Sequence, residues 1–233
     1  MDLTEKQVST VEKLVKPEYD QLKCWVHGWL HISNVRDASR RLSIAESYNP
    51  LPNEIASYCH DLGRIIEEQN GLLNTSSGFQ NHALFSIAPS VDILKQVGIR
   101  GELFDSIIEA VAIHSYKDYS GKNTIAQILR DADKSDSIGA WGALRAAKFY
   151  FRRDFVDTKL IITHHKDKDV VKSLADETLK IIKSNSDLKP KYIKILDFLN
   201  EWGENKMFHL NSVYKLFEPE IEYTQKAKEF LLS

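Results

Sequence analysis

The sequence is short of several things, and each shortage removes a class of protein. Only two of its 233 residues are cysteine, Cys24 and Cys59; they have neither the spacing of a thiolate zinc motif nor the density of a disulfide framework, and both read as reduced core thiols. The net charge is only -2 at pH 7, so there is no global basic field of the kind that holds nucleic acid or an anionic membrane surface. No apolar run approaches the length of a membrane span, and the opening residues Met1-Asp2-Leu3-Thr4-Glu5-Lys6 lack the basic-then-apolar order of a secretory leader. A cytoplasmic protein with neither membrane nor nucleic acid as partner is the expectation. Internal repeats and low-complexity tracts are missing as well.

What is present is an ordinary globular mixture, 42% hydrophobic and 27% charged, in a chain long enough for one well-filled core. A single domain over residues 1–233 is expected. Apolar residues recur at a period near 3.6, as in Val8, Val11, Leu14 and Val15, then Val35, Ala38 and Leu42, then Ile107, Ala110 and Val111. The fold class is therefore all-α, with about nine helices. The one β-like stretch is Lys159-Leu160-Ile161-Ile162-Thr163, inside a segment 151–169 that reads as a loop. Residues 20–150 form the expected core and 170–233 a Lys-rich helical extension. The Thr-Ser-Ser-Gly composition between Asn74 and Gln80 predicts a mobile lid loop, and Pro89 predicts a disturbed helix that leaves His82 in that loop.

Polar residues that fall on apolar helical faces carry the chemistry, because an imidazole or carboxylate turned into a core must find a partner there. His31 continues the stripe of Val35, Ala38 and Leu42. His114 continues that of Ile107, Ala110 and Val111, and Asp133 that of Ile125, Ile128, Leu129 and Ala132. A divalent cation would compensate all of them together. His60 and Asp61 are adjacent, about 100° apart on a helix, so both reach one ion only from a helix end, which the following Gly63 suits. A lone inward histidine is more often a core residue bonded to a carbonyl; the ordered set His31, His60-Asp61, His82, His114, Asp133 points instead to a metal.

Four segments resemble the HD-domain metal-dependent phosphohydrolases: His31-Ile32-Ser33-Asn34-Val35 with Ala38, Ala56 to Arg64 around His60-Asp61, Ala112 to Tyr116 around His114, and Ile128 to Asp136 around Asp133. The glycine-spaced run Gly139 to Arg145 is similar to small bacterial members. The resemblance implies a compact HD-type bundle with its metal site in the core. It implies metal ligands at His31, His60, Asp61 and Asp133, with Asp131 as rival for the last place, on the opposite side of its helix from the apolar stripe. His82 and His114 stand where two-metal members carry further histidines, so one or two ions per chain are expected. Mixed imidazole and carboxylate ligation suits manganese or iron first, and also magnesium, cobalt, nickel or zinc.

The implied reaction is attack of a metal-activated water on a phosphoester or phosphoanhydride, with a phosphorylated small molecule, a nucleotide by resemblance, as substrate. Asp61 would also orient the water. Arg64 and Lys134 are the catalytic cations expected to meet the developing phosphoryl charge, and His27, Lys117 and Arg145 the substrate contacts. Two alternatives stand beside this reading. One is a di-iron oxygenase on the same ligands; the other is a non-catalytic module that binds a nucleotide.

Overall fold

The computed structural model describes residues 3–23, 25–72, 76–116, 119–204 and 208–233, with only the backbone for 76–81 and 202–204. Among the described residues there are thirteen helices and no strand, so the all-α expectation is met with more and shorter elements than the nine expected. The chain divides into two compact units, Met1–Asp133 and Lys134–Ser233. The division falls inside one helix, immediately after Asp133.

The first unit holds α1 (Glu5–Tyr19), α2 (Trp29–Ala45), α3 (Pro50–Cys59), α4 (Gly63–Gln69), α5 (Ser76–Gln96), α6 (Glu102–Ile113) and most of α7 (Thr124–Ser135). Thr4 opens α1 with a capping box against Gln7. Residues 49–53 open α3: the Asn49 side chain accepts from Leu51 N, and Pro50 and Pro52 sit in the first turn, where a missing N–H costs nothing. Alternate faces of these helices bury Val11, Val15, Ile32, Leu42, Ile55, Ile107, Ile125 and Leu129 in one core. α3 lies at its centre, with α1, α2, α5 and α6 packed around it.

Two expectations for α5 are corrected. The backbone is helical from Ser76, so residues 76–80 are helix rather than lid loop, while Asn74 and Thr75 lie outside the described residues. Pro89 sits within the helix without displacing His82 from it. The buried face of α5 carries His82, Ser86 and Ser90 at four-residue spacing, and Pro89 is on its half-buried flank. An interior proline costs about 3 kcal/mol, which packing of α5 against α4 and α6 offsets.

The second unit contains α8 (Gly139–Phe151), α9 (Thr158–His164), α10 (Lys168–Lys183), α11 (Leu188–Glu204), α12 (Asn211–Leu216) and α13 (Glu218–Leu232). Its core gathers Ala147, Leu179, Ile182, Leu196 and Leu231 around Tyr192, whose hydroxyl donates to Ala143 O at 2.6 Å. The β-like stretch at 159–163 is α9. Asp157 caps its first turn through Lys159 N, and only Ile161 of its three consecutive apolar residues is buried. A local cap and a single inward side chain suit one helical turn as well as they suit a strand, and no neighbouring strand competes among the described residues. No helix is long and apolar enough to cross a membrane among the described residues.

Candidate metal centre

Helix ends, not helix middles, place most of the centre. His60 is the C-cap of α3 and His114 the C-cap of α6, both in right-handed helical conformation. Asp61 follows in the turn that joins α3 to α4. His31 projects from the first turn of α2, His82 from α5 and Asp133 from the last turns of α7. Sidechain hydrogen bonds set the register between these elements. The Ser57 and Ser39 hydroxyls meet at 2.8 Å between α3 and α2, and Asn53 Nδ2 donates to Ile125 O at 3.0 Å between α3 and α7. Ser86 Oγ accepts from Gly63 N at 2.8 Å and lies 2.6 Å from His60 O, which fixes α5 against the His60–Asp61 turn.

Gly63 is required there by contact rather than by backbone angle. A Cβ on it would overlap the carbonyl oxygen of His82 and stand 2.9 Å from Phe85 Cβ. A bare backbone at this position lets α4 and α5 close on each other and carries His82 toward Asp61.

The carboxylate of Asp61 is the centre of the cluster. Its Oδ2 lies 3.6 Å from His31 Nε2 and 3.9 Å from His60 Nε2. Its Oδ1 lies 3.5 Å from His82 Nε2 and 3.6 Å from His114 Nε2. Asp133 Oδ1 joins the first side, 3.4 Å from His31 Nε2 and 3.8 Å from His60 Nε2. Within each side the imidazole nitrogens nearly touch, His31 to His60 at 3.3 Å and His82 to His114 at 3.1 Å. Groups with donor atoms all within 4.8 Å are His31, His60 and Asp61; His60, His114 and Asp133; and Asp61, His82 and His114.

Protonation follows from the outer contacts. His60 Nδ1 is 2.7 Å from Ser57 O, and His114 Nδ1 is 2.7 Å from Val111 O. A carbonyl can only accept, so each Nδ1 carries the proton, and in the neutral ring each Nε2 turns a lone pair into the cluster. Burial pushes the His60 imidazole down to about 4 and that of His82 down to about 3, with Asp61 opposing in both cases. Burial acts to raise the Asp61 carboxyl, but the Arg64 guanidinium, with the His60 imidazole and the His114 and His31 rings beside it, outweighs burial and holds it ionised, well below the usual range. Asp133 is likewise lowered, the His31 and His60 rings beside it outweighing burial. The unprotonated Nε2 atoms of His60 and His114 converge with the ionised carboxylate oxygens of Asp61 and Asp133, and this is the donor set of a divalent cation, so the residues present fit one.

Of the expected ligands, the structure brings His31, His60, Asp61 and Asp133 together, with His82 and His114 on the far side of Asp61. The premise for choosing Asp133 over Asp131 changes. Asp131 is fully buried, whereas the Asp133 side chain is 28% exposed; its reach to His31 and His60, not its burial, sets it apart. An edge position with an open side suits a ligand that must leave room for a substrate. Arg64 is buried within α4, with Nε 3.6 Å from Asp61 Oδ1, Nη2 3.5 Å from His82 Nε2 and Nη1 2.9 Å from Glu67 Oε2.

The other expected contacts are more scattered. His27 is buried in the turn before α2, not on that helix. Lys117 lies outside the described residues, as does Cys24. Lys134 and Arg145 belong to the second unit, where Arg145 is buried and donates to Asp136 Oδ2 at 2.6 Å. Cys59 is buried and reduced, its thiol pushed up to about 12 by burial. His165 is half-buried beside the Trp141 ring.

Glu67 and Ser86 were not singled out by the sequence. Glu67 was legible in principle, since Asp61, Arg64 and Glu67 recur every third residue with alternating charge. Ser86 had no such signal, because its partners come from another helix.

No protein-family profile matches the chain, and neither does any curated protein sequence. Solved structures do. YpgQ of Bacillus subtilis, crystallised in complex with ADP, is 19% identical, with 97% of this chain and 93% of that one covered and a TM-score of 0.57. A Lactobacillus plantarum protein is 16% identical, with 99% and 95% covered and a TM-score of 0.60. A predicted HD superfamily hydrolase from an uncultured Thermotogales bacterium is 18% identical over 85% and 92%, with a TM-score of 0.48. At these identities the likeness is one of fold. The all-α fold expected from the sequence is shared with YpgQ and with the Lactobacillus plantarum protein.

Proposed function

We propose that the protein is a metal-dependent phosphohydrolase that cleaves a phosphoester or phosphoanhydride bond of a small molecule, and that the whole chain works as one HD-type domain. The observation that carries this reading is the convergence of imidazole lone pairs and carboxylate oxygens on both sides of Asp61. His31, His60, Asp61 and Asp133 would hold a divalent ion, manganese or iron by preference. Such an ion supplies a Lewis acid for a phosphoryl oxygen and a water of lowered pKa.

The rest of the chemistry belongs to side chains. Asp61 is held as a carboxylate by Arg64 and the surrounding imidazoles, so one of its oxygens can accept a hydrogen bond from the attacking water while the other stays on the ligand side. Arg64 offers a fixed guanidinium to the charge that develops on the phosphoryl oxygens, and because Glu67 holds it, little reorganisation accompanies the reaction. His60 and His114 are kept in one tautomer by their carbonyl partners, which leaves Nε2 unprotonated for ligation.

A nucleotide is the first substrate to try, since YpgQ, which shares the fold, was crystallised with ADP. The experiment is a screen of nucleoside mono-, di- and triphosphates with added Mn2+ or Mg2+, run on the wild type and on His60→Ala. Metal-dependent release of phosphate or pyrophosphate that falls at least about a hundredfold in the variant is expected. Equal turnover by the two proteins overturns the reading, and substrate-dependent oxygen uptake without hydrolysis selects an oxygenase instead.

A further inference from the structure

The two sides of Asp61 are not equivalent. On the Oδ2 side the neighbours are His31, His60 and Asp133, and a second carboxylate faces the imidazoles. On the Oδ1 side the neighbours are His82 and His114, and the further charge is positive: Arg64 Nε stands 3.6 Å from Oδ1, and Arg64 Nη2 3.5 Å from His82 Nε2. Arg64 is not a loose surface cation that could swing away. Its side chain is 8% exposed, and Nη1 is held at 2.9 Å by Glu67, which is fully buried and has no hydrogen bond at its other oxygen, Oε1.

Charge balance points the same way. Asp61, Asp133 and Glu67 are three carboxylates, and the Arg64 guanidinium is paired with Asp61 and Glu67. If all are ionised they leave two negative charges, which one divalent ion neutralises and two would overshoot.

We propose that Arg64 occupies the place of a second cation, so that the centre takes one divalent ion, on the His31, His60 and Asp133 side of Asp61, although the histidines for two are present. The inference rests on the metal-hydrolase reading and deepens it. A divalent ion bound to His82, His114 and Oδ1 would lie within a few ångströms of a guanidinium that cannot lose its proton. In a site closed to water, that repulsion weakens binding of the second ion by at least about a hundredfold. His82 and His114 then line the Oδ1 side of Asp61 without holding an ion.

The test counts Mn2+ per chain by mass spectrometry after equilibration with excess Mn2+ and desalting, and uses electron paramagnetic resonance to detect a spin-coupled pair. One uncoupled ion is expected in the wild type and in Arg64→Lys, and two coupled ions in Arg64→Met. Two ions in the wild type, or one in an Arg64→Met protein that is folded by circular dichroism, overturns the proposal. If Arg64→Met does not fold, His82→Ala decides. It keeps one ion, with affinity within about threefold of wild type, if the second side is not a metal site; loss of the ion overturns the proposal. A wild type that binds no Mn2+ at all overturns the metal reading itself, which is a different result from one ion in every variant.

Discussion

At the residue scale the centre depends on one missing side chain and several missing protons. Gly63 lets the α4 and α5 backbones meet beside Asp61, and Gly63→Ala would drive a methyl into the His82 carbonyl. Such overpacking costs about 1–3 kcal/mol. The expected outcome is a lower melting temperature, readable by calorimetry; an unchanged one would mean that α4 and α5 do not meet through this contact. Protons act on the same cluster. His60 and His82 are neutral in the fold, their pKa values at about 4 and about 3, whereas in the unfolded chain each titrates near the ordinary imidazole value of about 6.5. The unfolded state therefore binds more protons as the pH falls from about 6.5 toward 4, and stability falls with it. The depressed carboxyls of Asp61 and Asp133 extend the loss in the same direction at lower pH. Urea unfolding of metal-free protein at a series of pH values from 7.5 to about 4.5 should show a steady decline, and a flat profile contradicts burial of neutral imidazoles.

At the scale of elements, single polar bonds between helices do the aligning. Ser86 receives Gly63 N and reaches His60 O from the buried face of α5. Ser86→Ala leaves that N–H and that carbonyl without their partner in a dry interior, at about 1–3 kcal/mol. Because the bond joins α5 to the turn that carries His60 and Asp61, the proposed ligands, Ser86→Ala should weaken Mn2+ binding as well as stability. A stability loss with unchanged Mn2+ affinity would show that Ser86 holds the fold but not the site. α5 also shows how packing overrides a local rule. Pro89 predicts a break, yet the helix runs through it, because its buried face of His82, Ser86 and Ser90 is matched by α4 and α6.

For the whole molecule the prediction concerns linkage. An ion that binds only the folded chain stabilises it by about 2.7 kcal/mol at a hundredfold excess over its dissociation constant. In a protein of this length that raises the melting temperature by roughly 5–10 °C. Adding Mn2+ to chelator-treated protein should produce this shift, and a further chelator step should reverse it. No shift at saturating metal would argue against a built site. The division at Asp133 and Lys134 adds a reason to measure the transition by two probes, since two compact units need not melt together.

The helical class and most residues of the candidate metal centre are legible in the chain alone, because both are written in short-range spacing. A 3.6-residue apolar period marks a buried face wherever it occurs, and His31, His114 and Asp133 fell on such faces. The His60-Asp61 pair followed by glycine placed a helix end where α3 does end. Local patterns misled where two structures share them: 159–163 reads as strand until the Asp157 cap and one inward Ile161 are seen, and Asp133 reads as buried although Asp131 is the more enclosed. Which atoms of the cluster face one another is set by the packing of the helices. That Asp61 turns one oxygen to each histidine pair, that Glu67 pins Arg64 beside the second pair, and that Ser86 joins α5 to the turn all depend on distances between helices far apart in the chain. Spacing along one helix carries no information about those distances, and the charge that surrounds a metal ion depends on them.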